Sequence, residues 1–352
     1  MIKYLGSKRR QDRHQAALAA RSGASSALDL FTGTTRVAQA FKAGGLTVTA
    51  ADSARYSEMF ARTYIEADRE RTHLAALARA VEGLNSLPGR PGYFTETFCV
   101  ASRFFQPFNG ERIDAVRDAI AQRHAGTWLE PLLLTSLVEA ADRVDSTTGV
   151  QMAYVKRWAP RSFKPLELRV PELLDGAGRA VRGDALELAP VLGSFDLAYL
   201  DPPYNQHRYF TNYHVWETLV AWDAPSHYGV ACKRVDARDP ATKSVFNAKR
   251  AMPDALRTVV RDVDCELLVL SYNDESWIDL EELEDMCRRR GEVATLAFES
   301  ARYVGARIGI HNPAGQRVGT VSHLTNREYL VVSGPRRRVA EVTTPLRLQC
   351  VP

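Results

Sequence analysis

Hydrophobic and polar positions near the start of the chain predict a strand, a tight turn and a helix in succession. The apolar run 27–31 ends in the small polar residues 32–35, after which apolar side chains recur with helical spacing over 37–42. A β-branched run, 46–51, then closes on Asp52 and predicts a second strand. Together these segments make a β-α-β unit, as expected in an α/β fold.

The alternation of strands and helices stops between Met59 and Ala180. The pattern in this stretch is mostly helical and is clearest over 127–144. We therefore expect residues 59–180 to form an inserted helical domain with a small core of its own. Residues 1–58 and 181–352 are then expected to form the α/β domain into which it is inserted.

Two later apolar runs predict further strands, and each is followed by polar residues. The runs 195–200 and 265–270 lead into Asp201-Pro202-Pro203-Tyr204 and Ser271-Tyr272-Asn273 respectively. In an open α/β sheet, the loops after the carboxyl ends of the strands collect the ligand-binding groups. Both loops are therefore candidates for a binding site.

Composition narrows the class of protein without naming a function. The formal net charge of +4 favours an anionic partner. The apolar runs are far shorter than the roughly 18 to 20 residues of a membrane helix, and the first residues lack a signal-peptide pattern, so we expect a soluble, cytoplasmic protein. The 5 cysteines are scattered without a C-x-x-C pair, which argues against zinc ribbons and disulfide frameworks. No metal site is expected.

The run Asp201-Pro202-Pro203-Tyr204 is the most specific motif in the chain. Two consecutive prolines after a strand are by themselves typical of a rigid turn. Here a carboxylate precedes them and an aromatic ring follows, which suits a planar amine. Asp201 and the carbonyl of Pro202 can accept its hydrogens while Tyr204 stacks on its ring. We predict that Asp201, Pro202, Pro203 and Tyr204 are catalytic.

The loop after the first strand and two acidic residues indicate a nucleoside ligand. The dinucleotide pattern G-x-G-x-x-G is missing from 29–34, where Gly33 is followed by small hydroxylated residues that suit a nucleoside without phosphates. Asp52 is placed to bind ribose hydroxyls. Asp184, in Gly183-Asp184-Ala185, is placed to accept from an adenine amine, although an ordinary solvated turn is the alternative there.

In this order the motifs resemble the Dam-type DNA adenine-N6 methyltransferases, which use S-adenosylmethionine. The resemblance also includes the N-terminal segment 3–8 and the closing run 328–332, and so spans nearly the whole chain. It implies an α/β, Rossmann-like methyltransferase fold in which residues 59–180 are the target-recognition insertion. The cofactor-binding residues predicted from the loops and the resemblance are Tyr4, Gly6, Ser7, Lys8, Asp29, Phe31, Gly33, Thr34, Asp52, Asp184, Ala185 and Asp201.

Two features bear on the position of the chain within that family. The glycine loop of the family often reads Phe-x-Gly-x-Gly, whereas Thr35 stands here in place of the second glycine. This substitution leaves the conformation of the loop open. Downstream, residues 204–217 look more like the restriction-associated branch than the mismatch-correction branch, which suggests a cognate restriction endonuclease as a partner.

The resemblance implies an adenine flipped out of duplex DNA, because a base inside the duplex cannot reach the catalytic loop. Tyr209 and Tyr213 follow that loop and are candidates for base contact, although aromatic residues at helical spacing are more often part of a core. Basic residues in loops are candidates for phosphate contact. The predicted DNA-binding residues are Lys156, Arg157, Arg161, Lys164, Tyr209, Tyr213, Lys243, Lys249 and Arg250.

Other substrates and one other class of function stay open at this point. The enzyme alternatives are methyl transfer to adenine in RNA, to the N4 amine of cytosine or to a glutamine amide. Cytosine enzymes tend to carry Ser, and glutamine enzymes Asn, in place of the motif's acid, so Asp201 favours adenine. The alternative of a different class is a catalytically inactive DNA-binding module that senses the cofactor.

Overall fold

A seven-stranded sheet forms the centre of the protein. The computed structural model describes residues 2–4, 12–152, 154, 157–301, 310–311, 317–319 and 325–346. The strands in this part of the chain are β1 (Ser26–Asp29), β2 (Thr47–Asp52), β3 (Gly178–Arg182), β4 (Phe195–Leu200), β5 (His227–Tyr228), β6 (Lys233–Arg234), β7 (Cys265–Asn273), β8 (Glu292–Ala301), β9 (Ile310–His311), β10 (Arg317–Gly319) and β11 (Thr325–Gly334).

The order of strands in the sheet is β3-β2-β1-β4-β7-β11-β8. The first five of these run parallel, whereas β11 is antiparallel to both of its neighbours. The direction in which successive strands are added reverses between β1 and β4. The carboxyl ends of strands on either side of such a reversal flank a crevice in which ligands bind.

Helices cover both faces of the sheet. The helices in the described part of the chain are α1 (Asp12–Ser22), α2 (Arg36–Ala43), α3 (Arg55–Ala61), α4 (Leu74–Asn85), α5 (Tyr93–Thr95), α6 (Pro107–His124), α7 (Leu129–Val144), α8 (Ala185–Leu188), α9 (Tyr209–Asn212), α10 (His214–Ala221), α11 (Met252–Asp262), α12 (Leu280–Arg288) and α13 (Arg336–Thr343). None of the described helices combines the length and the apolar composition needed to cross a membrane.

The predicted elements of the α/β part are confirmed. The runs 195–200 and 265–270 form β4 and the first part of β7, and the run closing on Asp52 forms β2. The clearest helical pattern, 127–144, forms α7. These segments are predictable because strands buried on both faces are continuously apolar and the helix has a broad apolar face.

The helical insertion does not have a core of its own, contrary to the sequence-based expectation. Its buried residues, such as Phe98 and Leu133, belong to one continuous cluster with Phe41 of α2 and Val48 of β2. The other face of the sheet has a separate cluster around β7 and α11. The insertion therefore covers one face of the sheet directly, because its apolar helix faces find their partners there.

Buried polar side chains of the insertion also bind the helix that follows the catalytic loop. The Arg117 guanidinium of α6 donates to the carbonyls of Leu219 and Val220 at 2.8 and 3.0 Å. It thus provides hydrogen-bond partners for two carbonyls at the carboxyl end of α10. At the other end of α10, the Gln151 side chain accepts from the backbone N–H of Val215 at 2.9 Å. The insertion thereby fixes α10 relative to the sheet.

Candidate active site

Four aspartates follow four adjacent strands and meet at one cleft of about 360 Å³. Asp29 ends β1 and Asp52 ends β2, while Asp184 and Asp201 lie just beyond β3 and β4. All four line the cleft, at the point where the strand order reverses. The sheet therefore brings the predicted cofactor loops and the predicted catalytic loop together.

Asp52 connects two loops of the cleft. One of its carboxylate oxygens accepts from the backbone N–H of Gly33 and the other from that of Ala54, both at 2.9 Å. Burial raises the pKa of the Asp52 carboxyl, although these backbone N–H groups act against the rise. Each oxygen keeps a second lone pair, so Asp52 can also accept from ligand hydroxyls.

The loop after β1 makes its tight turn without the second glycine. Gly33 has φ 51° and Thr35 has φ 62°, so both lie in the left-handed region that non-glycine residues rarely adopt. The Thr35 hydroxyl donates to the Thr34 carbonyl at 2.7 Å and accepts from the Gln39 side chain at 2.8 Å. These bonds hold a threonine in a conformation where glycine would be unstrained.

Asp29 lies beneath this loop. Its Oδ2 accepts from the Thr32 hydroxyl at 2.8 Å and from the backbone N–H of Ala38 at 3.1 Å. Its Oδ1 is buried without a hydrogen-bond partner among the described residues. Burial raises the pKa of Asp29 to about 7, and the nearby charge of Asp201 adds to the rise.

These carboxylates fit a cationic nucleoside cofactor. S-adenosylmethionine carries a sulfonium and an ammonium group as well as ribose hydroxyls and an adenine amine. The Asp29 Oδ1 atom is a buried acceptor that a donor in the cleft would satisfy, and Asp52 offers acceptors to ribose. Asp184 caps the start of α8: its side chain accepts from the backbone N–H of Leu186 at 2.8 Å, which fixes its position beside Ala185. The donor and acceptor chemistry of the cleft therefore suits this cofactor.

Tyr4 closes the same cleft from the N-terminal segment. Its ring stacks on Tyr213 at 4.7 Å and on Tyr209 at 5.4 Å, and its hydroxyl lies 3.4 Å from that of Tyr56. Burial raises the pKa of Tyr4 well above its ordinary value, so the phenol stays neutral. Phe31 and Thr34 complete the wall on the β1 side.

Lys3 anchors this segment to the insertion, an interaction that the sequence did not reveal. Its ammonium lies 2.9 Å from Asp142 and 3.3 Å from Asp145, at the end of α7. Arg161 pairs with the same Asp145 at 2.6 Å and donates to the carbonyl of Thr147. The guanidinium of Arg161 is therefore partly engaged within the protein, and the phosphate contact predicted for Arg161 stays a prediction.

The residues of the predicted catalytic loop are not equally exposed to the cleft. Asp201 and Pro203 line it, whereas Pro202 is buried. The Tyr204 ring is half-buried and packs edge-on against Tyr272 of β7, with ring centroids 5.4 Å apart. Residues 271–273, predicted as a polar loop after the strand, instead form the end of β7, and none of them lines the cleft. Tyr272 supports the ring of Tyr204 from within the strand.

Residues 240–247 lie against the loop after β4, a contact that no sequence pattern indicated. The Asn247 amide donates to the carbonyls of Asn205 and His207 at 2.8 and 3.1 Å. Phe246 is fully buried and packs edge-on against Phe31 at 5.1 Å. The segment therefore bridges the loop after β4 and the loop after β1.

Glu217 of α10 is a second site residue that sequence reasoning missed. It lines the cleft while only 2% exposed, and it accepts from the backbone N–H of Arg55 at 2.8 Å. Burial raises the pKa of Glu217 to about 7, although the backbone N–H and the positive charge of Arg55 act to lower it. It lies within the segment 204–217 that the sequence singled out, but nothing in that pattern gave it a role.

The remaining predicted residues are distributed as follows. Tyr209 and Lys243 line the cleft, and Arg157, Lys164, Lys249 and Arg250 are exposed. Tyr213 is completely buried behind Tyr4, which corrects its prediction as a base contact. Gly6, Ser7, Lys8 and Lys156 lie outside the described residues.

Residues 4–286 match the model of the D12 class N6 adenine-specific DNA methyltransferases. The chain belongs to this family. Membership confirms the resemblance inferred from the motifs, together with the α/β methyltransferase fold, the use of S-adenosylmethionine and methylation of adenine in DNA. The match begins at Tyr4 and includes every predicted catalytic residue.

Similar proteins include several named methylases. The type II methyltransferase M.NlaIII of Neisseria lactamica is 29% identical over 285 residues, which are 78% of this chain and 83% of that protein. The modification methylase StsI of Streptococcus sanguinis is 28% identical over 74% of this chain but only 42% of its own length. The type II methyltransferase M.CviAII of Paramecium bursaria Chlorella virus 1 is 27% identical over 64% of this chain and 70% of that protein.

Proposed function

We propose that this methyltransferase acts on an adenine flipped out of duplex DNA, with Asp201, Pro202, Pro203 and Tyr204 as the catalytic residues. The observation that carries the proposal is that Asp201 lines the same cleft as Asp29, Asp52 and Asp184. The carboxylate proposed to bind the target amine and the carboxylates proposed to bind the cofactor thus share one cavity. Methyl transfer needs this juxtaposition, because donor and acceptor must be held in line.

The assigned residues act on the amine of the target base. Its lone pair is delocalised into the ring and is a poor nucleophile. Hydrogen bonds from the amine to the Asp201 carboxylate and the Pro202 carbonyl draw its hydrogens out of the ring plane and stabilise positive charge that develops on nitrogen. When bound, S-adenosylmethionine supplies the methyl group on its sulfonium. Asp201 and the Pro202 carbonyl would hold the amine while the methyl carbon passes from sulfur to nitrogen, and the proton that the nitrogen then loses would pass to the Asp201 carboxylate or to water.

The target base must leave the duplex to reach Asp201, at a cost of a few kcal/mol. Stacking on Tyr204 offsets this cost, and packing against Tyr272 holds the Tyr204 ring in place. Residues 59–180 are assigned to target recognition, and the part of them that precedes β3 covers one sheet face and fixes α10. Because their core is continuous with that of the sheet, the region assigned to recognition packs directly on the domain that carries the cleft.

The biological role that we propose is modification in a restriction-modification system, in the cytoplasm with the DNA. The similar proteins M.NlaIII and StsI are named type II methyltransferase and modification methylase. The segment 204–217, which carries Glu217, resembles the restriction-associated branch. A cognate restriction endonuclease is the expected partner.

The proposal is tested by methyl transfer from labelled S-adenosylmethionine to duplex DNA, single-stranded DNA and RNA of one sequence. Methylated positions in DNA from expressing cells, mapped by sequencing, first supply the target site. We expect transfer to adenine in duplex DNA, and a loss of about 10²- to 10³-fold or more for Asp201→Ala, because one well-placed acceptor is removed. Transfer to RNA alone, or an Asp201→Ala variant that methylates at the wild-type rate, would overturn it.

A further inference from the structure

A second groove of about 450 Å³ opens beside the catalytic cleft. Its lining joins the loop after β4 to the hairpin β5-β6 and to the 3₁₀ turns that follow it. Among the described residues that line it none is acidic, whereas Arg208, Arg238 and Lys243 are permanent cations. His207, Gln206 and Asn212 add further hydrogen-bonding groups. The groove is therefore built to receive an anion or a chain of anions.

The three cations are exposed and available to a ligand. No carboxylate among the described residues lies within ion-pair distance of Arg208, Arg238 or Lys243. The nearby Asp236 carboxylate is taken up by Arg234 at 2.7 Å. Unpaired cations crowded around one groove repel each other, and a polyanion relieves that repulsion.

Arg238 is held in a defined position. Its guanidinium lies over the ring of Tyr228, 3.7 Å from the ring centroid, which is close enough for a cation–π interaction. Asn247 in turn fixes the loop that carries His207, through its carbonyl at 3.1 Å. The groove therefore has a partly organised cationic wall, and a ligand would not have to order all of it on binding.

The groove connects to the cleft through two shared residues. Arg208 and Lys243 line both cavities. A polymer with one unit in the cleft beside Asp201 would thus pass directly into the groove at its next unit. In a nucleic acid, the group at that position is a phosphodiester with its sugar.

We propose that this groove binds the DNA backbone adjoining the flipped adenine, with Arg238, Arg208 and Lys243 contacting its phosphates. The inference rests on the proposed function and adds a site to it. These contacts carry no base information but fix the register of the strand, so that the extruded base is delivered to Asp201. Bridging cations at the junction also let the backbone bend sharply where the base leaves the stack, since they screen the repulsion between neighbouring phosphates.

The test measures binding of a duplex that carries the mapped target site, across a series of salt concentrations. Arg238→Gln and Lys243→Gln remove one charge each from the groove. Arg336→Gln is the matched control. Arg336 is exposed at the start of α13, which follows the end of β11 directly. That end of β11 pairs with the start of β7, so Arg336 lies at the end of the sheet opposite to the cleft. We expect about threefold to tenfold weaker binding for each groove variant and a salt slope lower by about one ion per lost contact, with the control unchanged.

A second measurement locates the phosphate. Methylphosphonate links, which lack the charge, are placed one at a time on either side of the target adenine. One such link should weaken binding by the wild-type protein but weaken binding by Arg238→Gln much less, because that variant has already lost the partner. Calorimetric titration with S-adenosylhomocysteine should give equal affinities for wild type and Arg238→Gln.

The outcomes separate this inference from the proposed function. If the wild type methylates duplex DNA while the groove variants keep its affinity and salt slope, the groove is not a backbone site and the proposed function stands. If every methylphosphonate position affects wild type and variant equally, the assignment is equally overturned. If the wild type neither binds nor methylates DNA, the proposed function itself fails.

Discussion

The ring of Tyr4 packs directly on Gly33, so closely that a β-carbon built on the glycine would lie 3.1 Å from Cε1 of that ring. The glycine also has φ 51°, a conformation that L side chains rarely adopt. The N-terminal segment and the loop after β1 are thus in contact at the wall of the cleft. A side chain at position 33 would disturb both.

The first prediction concerns this contact. Gly33→Ala should weaken S-adenosylmethionine binding at least tenfold, about 1.4 kcal/mol, because the new methyl displaces Tyr4 and strains the loop. Gly126→Ala is the control, since Gly126 also has a positive φ, 70°, but nothing lies within 4 Å of a β-carbon there. Calorimetry gives the cofactor affinity of both variants, and the control shows whether strain at a positive-φ glycine away from the cleft changes it. Equal affinities would contradict a role for the contact between Tyr4 and Gly33.

The second prediction concerns Asp52. Asp52→Ala should also weaken cofactor binding at least tenfold, because it removes acceptors for ribose hydroxyls and the bonds to the N–H groups of Gly33 and Ala54. Asp52→Asn should lose less, since its amide oxygen keeps one of these bonds. Calorimetry gives the affinities, and thermal melting checks that both variants fold. A wild-type affinity in folded Asp52→Ala would reject Asp52 as the ribose acid.

The third prediction separates the roles of Tyr204 and Asp201. Tyr204→Ala should lose the stacking surface for the flipped base, worth about 1 to 3 kcal/mol, whereas Tyr204→Phe and Tyr204→Trp should keep substantial activity because the ring face does the stacking. With 2-aminopurine at the target adenine, wild type and Asp201→Ala should show the fluorescence rise of an unstacked base, and Tyr204→Ala an altered signal. If Tyr204→Phe is as inactive as Tyr204→Ala, the assignment to stacking is wrong.

The fourth prediction concerns pH. Burial raises the pKa of Glu217 to about 7, whereas a glutamate in an unfolded chain titrates near a pKa of about 4.3. Between these values the folded protein holds a proton that the unfolded chain has released, so the free energy of unfolding falls as the pH rises. Asp29 acts in the same direction.

Glu217→Gln should therefore flatten this dependence, while its amide oxygen keeps the bond to the N–H of Arg55. Relative to wild type, the variant should gain about 1 to 3 kcal/mol of unfolding free energy between about pH 5 and pH 8. Denaturant unfolding at both values measures the difference. Glu82→Gln, at an exposed position of α4, is the control and should show no such gain. If the difference in unfolding free energy between Glu217→Gln and wild type is the same at both pH values, Glu217 does not titrate in this window.

The α/β part of the fold and the main components of the site could be predicted from the amino-acid sequence alone. The apolar runs that became β2, β4 and β7 needed no tertiary information, because strands in a covered parallel sheet are apolar throughout. Asp52 and Asp201 were predictable for a related reason. Each follows such a run directly, and parallel strands bring their carboxyl ends to one edge.

Which side chains share the cleft could not be predicted in this way, because it depends on tertiary packing. Glu217 and Phe246 come from segments whose local pattern is that of an ordinary helix and turn, and they reach the site only through the packing of α10 and of residues 240–247. Arg161 and Tyr213 looked available in sequence but are engaged by Asp145 and Tyr4. Local periodicity records which residues are buried or charged, whereas their partners depend on contacts between residues far apart in the chain.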